Sequence, residues 1–299
     1  MLTGFLNLNT MKQTDGICGE KMKRVLSLQD ISCFGKCSLT LAMPVISAMG
    51  VECVPVPTAL LSTHTGGLGE TAFLDLTDHV MPIIEHFKRL KLHFDVVSIG
   101  YLGSKKQIDL AAEIIDLFRR DGAIALLDPV MGDGGSLYKR FDMEYVREMR
   151  SLASVADYVL PNLTEAALLA DMEYAGESVG EEYLERLFET IDESFPSGFI
   201  VTGVCDRSSS IGAVFHEKNP GRNVRCAAKR HGAGFHGTGD IFAAVMAGAL
   251  AKGFGLDEAI NLSVDFTAAV IERTLDAKTD ERHGVRFEEC LDLLTKSAK

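Results

Sequence analysis

Short β-rich apolar runs alternate with stretches of helical periodicity along most of this 299-residue chain. The predicted strands are Val25–Gln29, Val51–Leu61, Asp95–Gly100, Ile124–Asp128, Tyr158–Leu160, Phe199–Thr202, Ile211–Phe215 and part of Asn223–Ala228. The predicted helices are Cys37–Met49, Ser104–Arg120, Met143–Ala153, Thr164–Ala170, Glu181–Glu193, Thr238–Lys252, Leu256–Thr274 and Phe287–Ser297. Alternation this regular predicts an α/β fold, with a central, mostly parallel sheet flanked by helices on both faces.

The chain is predicted to form one domain over residues 23–299, preceded by a flexible N-terminal extension over residues 1–22. No linker rich in Pro, Gly or Ser divides it, and no internal repeat is present. No apolar run reaches the roughly 18 residues that a membrane span needs. The first residues also lack the basic and apolar regions of a signal peptide.

The formal net charge of −12 argues against nucleic acid and anionic membranes as partners. An anionic small molecule stays possible, because a local cradle of backbone N–H groups can oppose the overall field. The seven cysteines form no C-x-x-C pair. Such an unpatterned set is typical of free thiols in a reducing cytoplasm, where we expect this protein.

Polar residues and glycines are concentrated immediately after the predicted strands. They are Gln29-Asp30, the segment 62–67, Gly100-Tyr101, the segment 128–133, Pro161-Asn162 and Thr202-Gly203. Ligands of open α/β sheets bind beyond the carboxyl ends of the strands. The sequence therefore predicts a ligand site built from these strand ends.

The segment GAGFHGTGD, from Gly232 to Asp240, permits two interpretations. Its first six residues fit G-x-G-x-x-G, the turn of a dinucleotide-binding oxidoreductase. That turn follows a strong strand and precedes a second strand that ends in an acidic residue. Here the preceding segment is weak and charged, and the downstream acids Asp257 and Glu258 open a helix. The context therefore disfavours a dinucleotide site.

The second interpretation is an anion site at a helix N-terminus. Asp240 opens the apolar helical segment DIFAAVMAGALAKG, which places Gly237, Thr238 and Gly239 at its N-terminal end. Unpaired N–H groups and the positive end of the dipole point outward there, and glycine lets an anion approach closely. Asp240 could accept a proton from an attacking hydroxyl group. The alternative role is a plain N-cap aspartate.

Five segments together resemble the ribokinase-like kinases, and within them the pyridoxal (vitamin B6) kinases. They are VLSLQD at Val25–Asp30, STHTGG at Ser62–Gly67, DPVMGD at Asp128–Asp133, PNLTEA at Pro161–Ala166 and GTGDIFAA at Gly237–Ala244. They occur in the family's order and approximate spacing, and the resemblance covers nearly all of residues 24–297.

The resemblance implies an ATP- and Mg²⁺-dependent kinase that phosphorylates the 5′-hydroxyl of a B6 vitamer. It implies Asp240 as the catalytic base and the backbone of Gly237, Thr238 and Gly239 as the anion hole. Substrate contacts are implied at Asp30, His64, Thr65 and Tyr101. Metal contacts are implied at Asp128 and Glu165, and nucleotide contacts at Asp133, Asn162, Glu165, Thr202 and Gly203. A homodimer is also implied, and a monovalent cation requirement is left open.

Two positions depart from the pyridoxal kinase pattern. Asp30 replaces a common Ser, and Gly67 replaces the Tyr that usually follows HTG. A carboxylate at position 30 could pair with a cationic amine, so we expect pyridoxamine to be accepted well. The same departures leave a hydroxymethylpyrimidine or other small-alcohol kinase as an alternative. A non-catalytic vitamin- or nucleotide-binding protein is a further alternative, against which the intact GTGD argues.

Plainer structural roles compete with several of these assignments. His64 could be a loop histidine satisfied by a backbone carbonyl. Asn162 and Glu165 could be a helix cap and an acid of the first helical turn.

Overall fold

The computed structural model describes residues 22–176, 178–205, 210–217, 222–230, 235–278 and 280–297. The predicted extension, residues 1–22, lies outside the described residues except for Met22. Residues 232–234, which begin the GAGFHGTGD segment, also lie outside them.

The described strands form one large mixed sheet and a small hairpin. They are β1 Arg24–Ser32, β2 Glu52–Leu61, β3 Phe73–Asp75, β4 Val96–Ile99, β5 Ile124–Leu127, β6 Gly132–Asp133, β7 Ser136–Leu137, β8 Tyr158–Val159, β9 Gly198–Cys205, β10 Ser210–Glu217 and β11 Arg222–Lys229. The large sheet has the order β11-β10-β9-β8-β5-β4-β1-β2-β3, and β6 pairs with β7. Each predicted strand is confirmed, with ends that differ by a few residues.

The helices lie on both faces of the sheet, as predicted. They are α1 Leu39–Ala48, α2 Thr77–Arg89, α3 Lys105–Arg119, α4 Met143–Ala153, α5 Leu163–Ala170, α6 Glu181–Ser194, α7 Thr238–Ala251, α8 Leu256–Ala277 and α9 Leu291–Ser297. Helices α2 to α6 bury their apolar faces in one core cluster, and α1 and α7 to α9 in the other. Within the predicted helix Phe287–Ser297, the stretch Phe287–Cys290 is a 3₁₀ turn. None of the described helices is long and apolar enough to cross a bilayer.

Six neighbouring strands of the sheet, β9, β8, β5, β4, β1 and β2, run parallel to one another. Their carboxyl ends therefore meet at one edge, where the polar strand-end residues are brought together. Strands β10 and β11 add an antiparallel hairpin at one side. Because α7 follows this antiparallel edge strand, it does not connect two parallel strands. Among the described residues, α7 is therefore not preceded by the parallel strand that a dinucleotide turn requires.

Helix α7 is buried along almost its whole length, from Ile241 to Ala251. Small residues allow this burial: a β-carbon at Gly248 would lie 2.5 Å from Sδ of Met49 on α1. A helix packed on all sides cannot shift easily, because protein cores are close-packed. The packing therefore fixes the N-terminus of α7 at the edge where the parallel strands end.

Candidate active site

A cavity of about 600 Å³ opens at the carboxyl ends of the parallel strands. All the residues that were assigned a role from the sequence line it: Asp30, His64, Thr65, Tyr101, Asp128, Asp133, Asn162, Glu165, Thr202, Gly203, Gly237, Thr238, Gly239 and Asp240. Residues up to 210 positions apart in the sequence thus surround one space. Their individual roles stay predictions, which the local geometry helps to define.

The N-terminus of α7 forms an anion cradle at the base of this cavity. Gly237 precedes the helix with φ 90°, in the left-handed region that glycine tolerates. A β-carbon at this position would also lie 2.5 Å from the carbonyl oxygen of Lys36, so only glycine fits. The first intrahelical bond runs from Ile241 N–H to Gly237 O (2.9 Å). The N–H groups of Thr238, Gly239 and Asp240 come before it, where a helix can bind an anion.

Asp240 lies beside this cradle and is partly buried. Burial raises the pKa of its carboxyl group to about 7, and the negative charge of Asp30 adds to this increase. The backbone N–H of Ser38 faces the carboxylate and partly opposes the increase. A carboxylate whose pKa is near neutral can accept a proton efficiently at physiological pH.

Asp128 faces the same cradle from the end of β5. A β-carbon at Gly239 would lie 3.9 Å from Oδ2 of Asp128. Burial raises the pKa of Asp128 well above its ordinary value, and the charges of Glu165 and Asp240 raise it further. Excess negative charge in one buried place indicates a site that is completed by a cation.

Glu165 has a clear structural role at the start of α5. Its side chain accepts hydrogen bonds from the N–H groups of Asn162 (3.0 Å) and Met131 (3.0 Å). The N–H of Glu165 in turn donates to Oδ1 of Asn162 (2.9 Å), which completes a capping box. Burial raises the pKa of Glu165 to about 8. The capping role is confirmed, whereas metal binding by Glu165 stays a prediction.

The segment after Asp128 folds into the β6–β7 hairpin over the cavity. Gly134 and Gly135 form its turn with φ 56° and 80°, as a type I′ turn requires. Asp133 is exposed, and its Oδ1 accepts the N–H of Gly134 (2.8 Å). Tyr138 follows the hairpin and also lines the cavity. Partial desolvation raises the pKa of the Tyr138 phenol, and the negative charges of the carboxylates around it raise this pKa further.

His64 is held by backbone groups on both ring nitrogens. Its Nδ1 accepts the N–H of Gly66 (3.0 Å), so the Nε2–H donates to the carbonyl oxygen of Arg282 (2.7 Å). The structure thus bears out the loop-histidine interpretation. The ring centroid also lies 4.6 Å from that of His236. A substrate contact by His64, which stays a prediction, would use the ring rather than a free nitrogen.

Asp30 lies two residues before the end of β1 and lines the cavity together with His64. It is 4% exposed, and its oxygens accept the hydroxyl groups of Ser32 (2.9 Å) and Ser38 (2.6 Å). Burial raises the pKa of Asp30 despite these hydrogen bonds. Thr65 and Tyr101 complete the wall near Asp30 and His64.

The opposite end of the cavity is a more apolar slot that the sequence did not reveal. Thr202 and Gly203 lie at one side of it. Strands β10 and β11 and helix α8 contribute further lining, which is apolar or uncharged except for Lys229: Ile211, Gly212, Ala228, Lys229, Val264, Thr267, Ala268 and Ile271. Oγ1 of Thr267 is buried and has no hydrogen-bond partner among the described residues. A buried hydroxyl without a partner is costly, so its position in an otherwise apolar slot suggests a ligand group that satisfies it.

No three His, Cys, Asp or Glu side chains of the described residues converge into a ready-made metal site. The acids that line the cavity supply oxygen atoms alone. That donor type fits Mg²⁺, which usually takes one or two carboxylates and completes its shell with water and substrate phosphates.

The profile of the phosphomethylpyrimidine kinase family matches residues 43–285. A candidate phosphomethylpyrimidine kinase from Bacteroides thetaiotaomicron, solved in a crystal form with pyridoxal, is 36% identical, with a TM-score of 0.84 over 92% of this chain and 96% of that one. The pyridoxal kinase of Lactobacillus plantarum is 32% identical, with a TM-score of 0.83 over 93% and 98% of the two chains. A hydroxymethylpyrimidine/phosphomethylpyrimidine kinase of Rhizobium meliloti is 30% identical over 82% and 89%. These similarities confirm the predicted ribokinase-like fold.

Proposed function

The chain belongs to the phosphomethylpyrimidine kinase family, and on that basis we propose that it transfers the γ-phosphoryl group of ATP to the 5′-hydroxyl of B6 vitamers. The observation that carries the proposal is the placement of Asp240 beside the anion cradle of α7, in one cavity with Asp30. Two of the similar proteins support the substrate class, because one is a pyridoxal kinase and another was crystallised with pyridoxal.

In the proposed reaction, Asp240 accepts the proton of the 5′-hydroxyl while the hydroxyl oxygen attacks the γ-phosphorus. The bond between that phosphorus and the bridging oxygen breaks, and ADP leaves with its electron pair. The cradle N–H groups of Thr238 and Gly239 stabilise the charge on the transferring group, because helix N-termini favour anions. The protein thus contributes position and electrostatic stabilisation rather than a covalent intermediate.

We propose Asp128 and Glu165 as the side chains that would hold Mg²⁺, with Asp133 and Asn162 near the nucleotide phosphates. Mg²⁺, when bound, supplies positive charge that neutralises the phosphates. Asp128 is the stronger candidate, because the carboxylate of Glu165 already accepts backbone N–H groups. The raised pKa of Asp128 supports a cation there.

We propose that the apolar slot beside Thr202 and Gly203 receives the nucleotide. Replacing Thr267 by Val, which has a similar shape, should raise the KM for ATP about tenfold, because one hydrogen bond to the base is lost. The melting temperature of the unliganded protein should not fall, since the hydroxyl lacks a partner among the described residues. Thr190→Val on α6 is the matched control. An unchanged KM for ATP would place the base elsewhere.

Asp30 should favour a substrate that carries a cationic amine. We expect a higher kcat/KM for pyridoxamine than for pyridoxine, and Asp30→Ser should reduce this preference about tenfold by removing the charge-assisted contact. Steady-state kinetics on pyridoxal, pyridoxamine and pyridoxine, with wild type and variant, measure the effect. An equal fall in kcat/KM for all three vitamers would show that Asp30 does not recognise the amine.

The same assay with hydroxymethylpyrimidine tests the alternative substrate. The family match and the Rhizobium meliloti relative favour that alternative enough to include it. A kcat/KM for hydroxymethylpyrimidine that exceeds those of all B6 vitamers would contradict the proposed substrate. The homodimer and the cytoplasmic location stay predictions.

A further inference from the structure

Ser38 has an unusual backbone conformation for its residue type. It is the N-cap residue of α1, with φ 54° and ψ −133°. A residue other than glycine in this backbone conformation destabilises the fold by about 1–3 kcal/mol. Such a conformation persists only where surrounding contacts hold it. Ser38 is also almost fully buried, at 6% exposure. The conformation therefore needs an explanation in the contacts that Ser38 makes.

Those contacts connect two acids of the cavity. The hydroxyl of Ser38 donates to Oδ1 of Asp30 at 2.6 Å. Its backbone N–H faces the carboxylate of Asp240 and partly lowers the pKa of that group, and both residues line the same cavity. Its carbonyl oxygen meanwhile accepts the N–H groups of Leu41 (3.1 Å) and Ala42 (2.9 Å), which start α1. One residue therefore holds Asp30 by a hydrogen bond, lies against Asp240 and ties this part of the site to α1.

The turn before Ser38, which contains Gly35 and Lys36, holds Ser38 against the rest of the site. A β-carbon at Gly35 would lie 1.9 Å from Cδ2 of His64, so the turn packs directly on the His64 ring. The carbonyl oxygen of Lys36 packs on Gly237 of the cradle, where an added β-carbon would lie 2.5 Å from it. The turn thus has little freedom, because the substrate loop and the anion cradle both confine it.

We propose that Ser38 is a positioning residue that sets the separation between the acid facing the substrate ring, Asp30, and the acid facing the reacting hydroxyl, Asp240. The inference rests on the proposed function, because only a substrate that touches both acids makes their separation matter. Its hydroxyl orients Asp30 for binding the alcohol substrate. Its N–H faces one side of the Asp240 carboxylate and leaves the rest for the substrate hydroxyl.

Two substitutions separate the hydroxyl group from the backbone conformation. Ser38→Ala removes the hydroxyl and keeps the strained backbone, whereas Ser38→Gly removes the hydroxyl and relieves the strain. Both keep the N–H that faces Asp240. Ser47→Ala, at an exposed position of the same helix, is the matched control. Titration calorimetry with pyridoxal and with ATP gives the two dissociation constants, and steady-state kinetics gives kcat.

Both variants should bind pyridoxal about tenfold more weakly, as expected when a carboxylate loses one hydrogen bond. The dissociation constant for ATP should change less than twofold and kcat less than threefold, and Ser47→Ala should match wild type. Ser38→Gly should melt at a higher temperature than Ser38→Ala. If Ser38→Gly binds pyridoxal as tightly as wild type does, Ser38 does not have the proposed role. The same follows if either variant loses as much affinity for ATP as for pyridoxal. A wild type that neither binds nor phosphorylates any vitamer would instead overturn the proposed function.

Discussion

Asp240→Asn should lower kcat by about 10³-fold, because general-base catalysis typically contributes 10²- to 10⁴-fold. Asparagine has nearly the same shape but cannot accept the proton of the substrate hydroxyl. The KM values for ATP and for the vitamer should change little, because the cradle and the substrate wall are unaffected. Steady-state kinetics with Mg²⁺ and ATP measure this effect, and Asp121→Asn at an exposed position is the matched control.

The same substitution should stabilise the unliganded protein at pH 8. Burial raises the pKa of Asp240 to about 7, above the value of about 3.9 for an unfolded chain. The folded state therefore binds more protons between these two values, and ionised Asp240 weakens the fold at higher pH. The variant should melt above wild type at pH 8, and the difference should shrink as the pH falls from 7 towards 4.

Activity and stability should thus move in opposite directions in Asp240→Asn. That combination excludes misfolding as the cause of the lost activity. A variant that keeps the kcat of wild type would show that Asp240 is not the base. A variant that loses activity and melts well below wild type at pH 8 would instead assign Asp240 a structural role.

Gly239→Ala should lower kcat by about 10²-fold, as expected when one component of an anion hole is impaired. Gly239 has an ordinary helical conformation, and the nearest atom to an added β-carbon is Oδ2 of Asp128 at 3.9 Å. The methyl group therefore fits the protein but occupies space between the cradle and Asp128. The transferring phosphoryl group would lose its close approach to the backbone.

Stability should not fall in Gly239→Ala, since alanine is favoured over glycine in a helix by about 0.5–1 kcal/mol. Gly180→Ala is the control: its β-carbon has no neighbour within 4 Å and its φ is −81°. Kinetics and thermal melting of both variants complete the comparison. Full activity in Gly239→Ala would show that the phosphoryl group does not approach this turn of α7.

The elements with strong periodicity or clear capping residues were predictable from the sequence. The predicted helix Ser104–Arg120 is α3, and the side chain of Ser104 caps it by accepting the N–H of Gln107. Met143–Ala153 was predicted as a helix and is α4. Helix α7 begins at Thr238, as predicted, because glycine precedes a long apolar helical run. Local signals sufficed at these places.

Other elements depend on contacts that the sequence does not show. Helix α2 carries Pro82 in its interior and lacks a side-chain N-cap, so its propensity is poor. Burial of Val80 and Ile84 in the core holds it nevertheless. The hairpin β6–β7 has strands of two residues each, too short for any periodicity. Its Gly134-Gly135 turn was the signal that could have revealed it.

The residues of the candidate site likewise form two groups, those that the sequence predicts and those that it does not. Residues within motifs, such as Asp128 and Asp240, were predictable because both their type and their order along the chain carry information. Ser38 and Thr267 were not, because their roles come from a positive φ and from a buried hydroxyl without a partner. Such properties exist only once the chain has folded.

A crystal structure with ADP, Mg²⁺, aluminium fluoride and pyridoxal tests the central claim most directly. The measured quantity is the distance between the 5′-hydroxyl oxygen and the nearest carboxylate oxygen of Asp240. We predict about 2.6–3.2 Å, the range for a general base, with the fluoride mimic of the phosphoryl group on the N–H groups of Thr238 and Gly239. A 5′-hydroxyl directed away from Asp240, or a phosphoryl mimic bound away from the start of α7, would contradict the account.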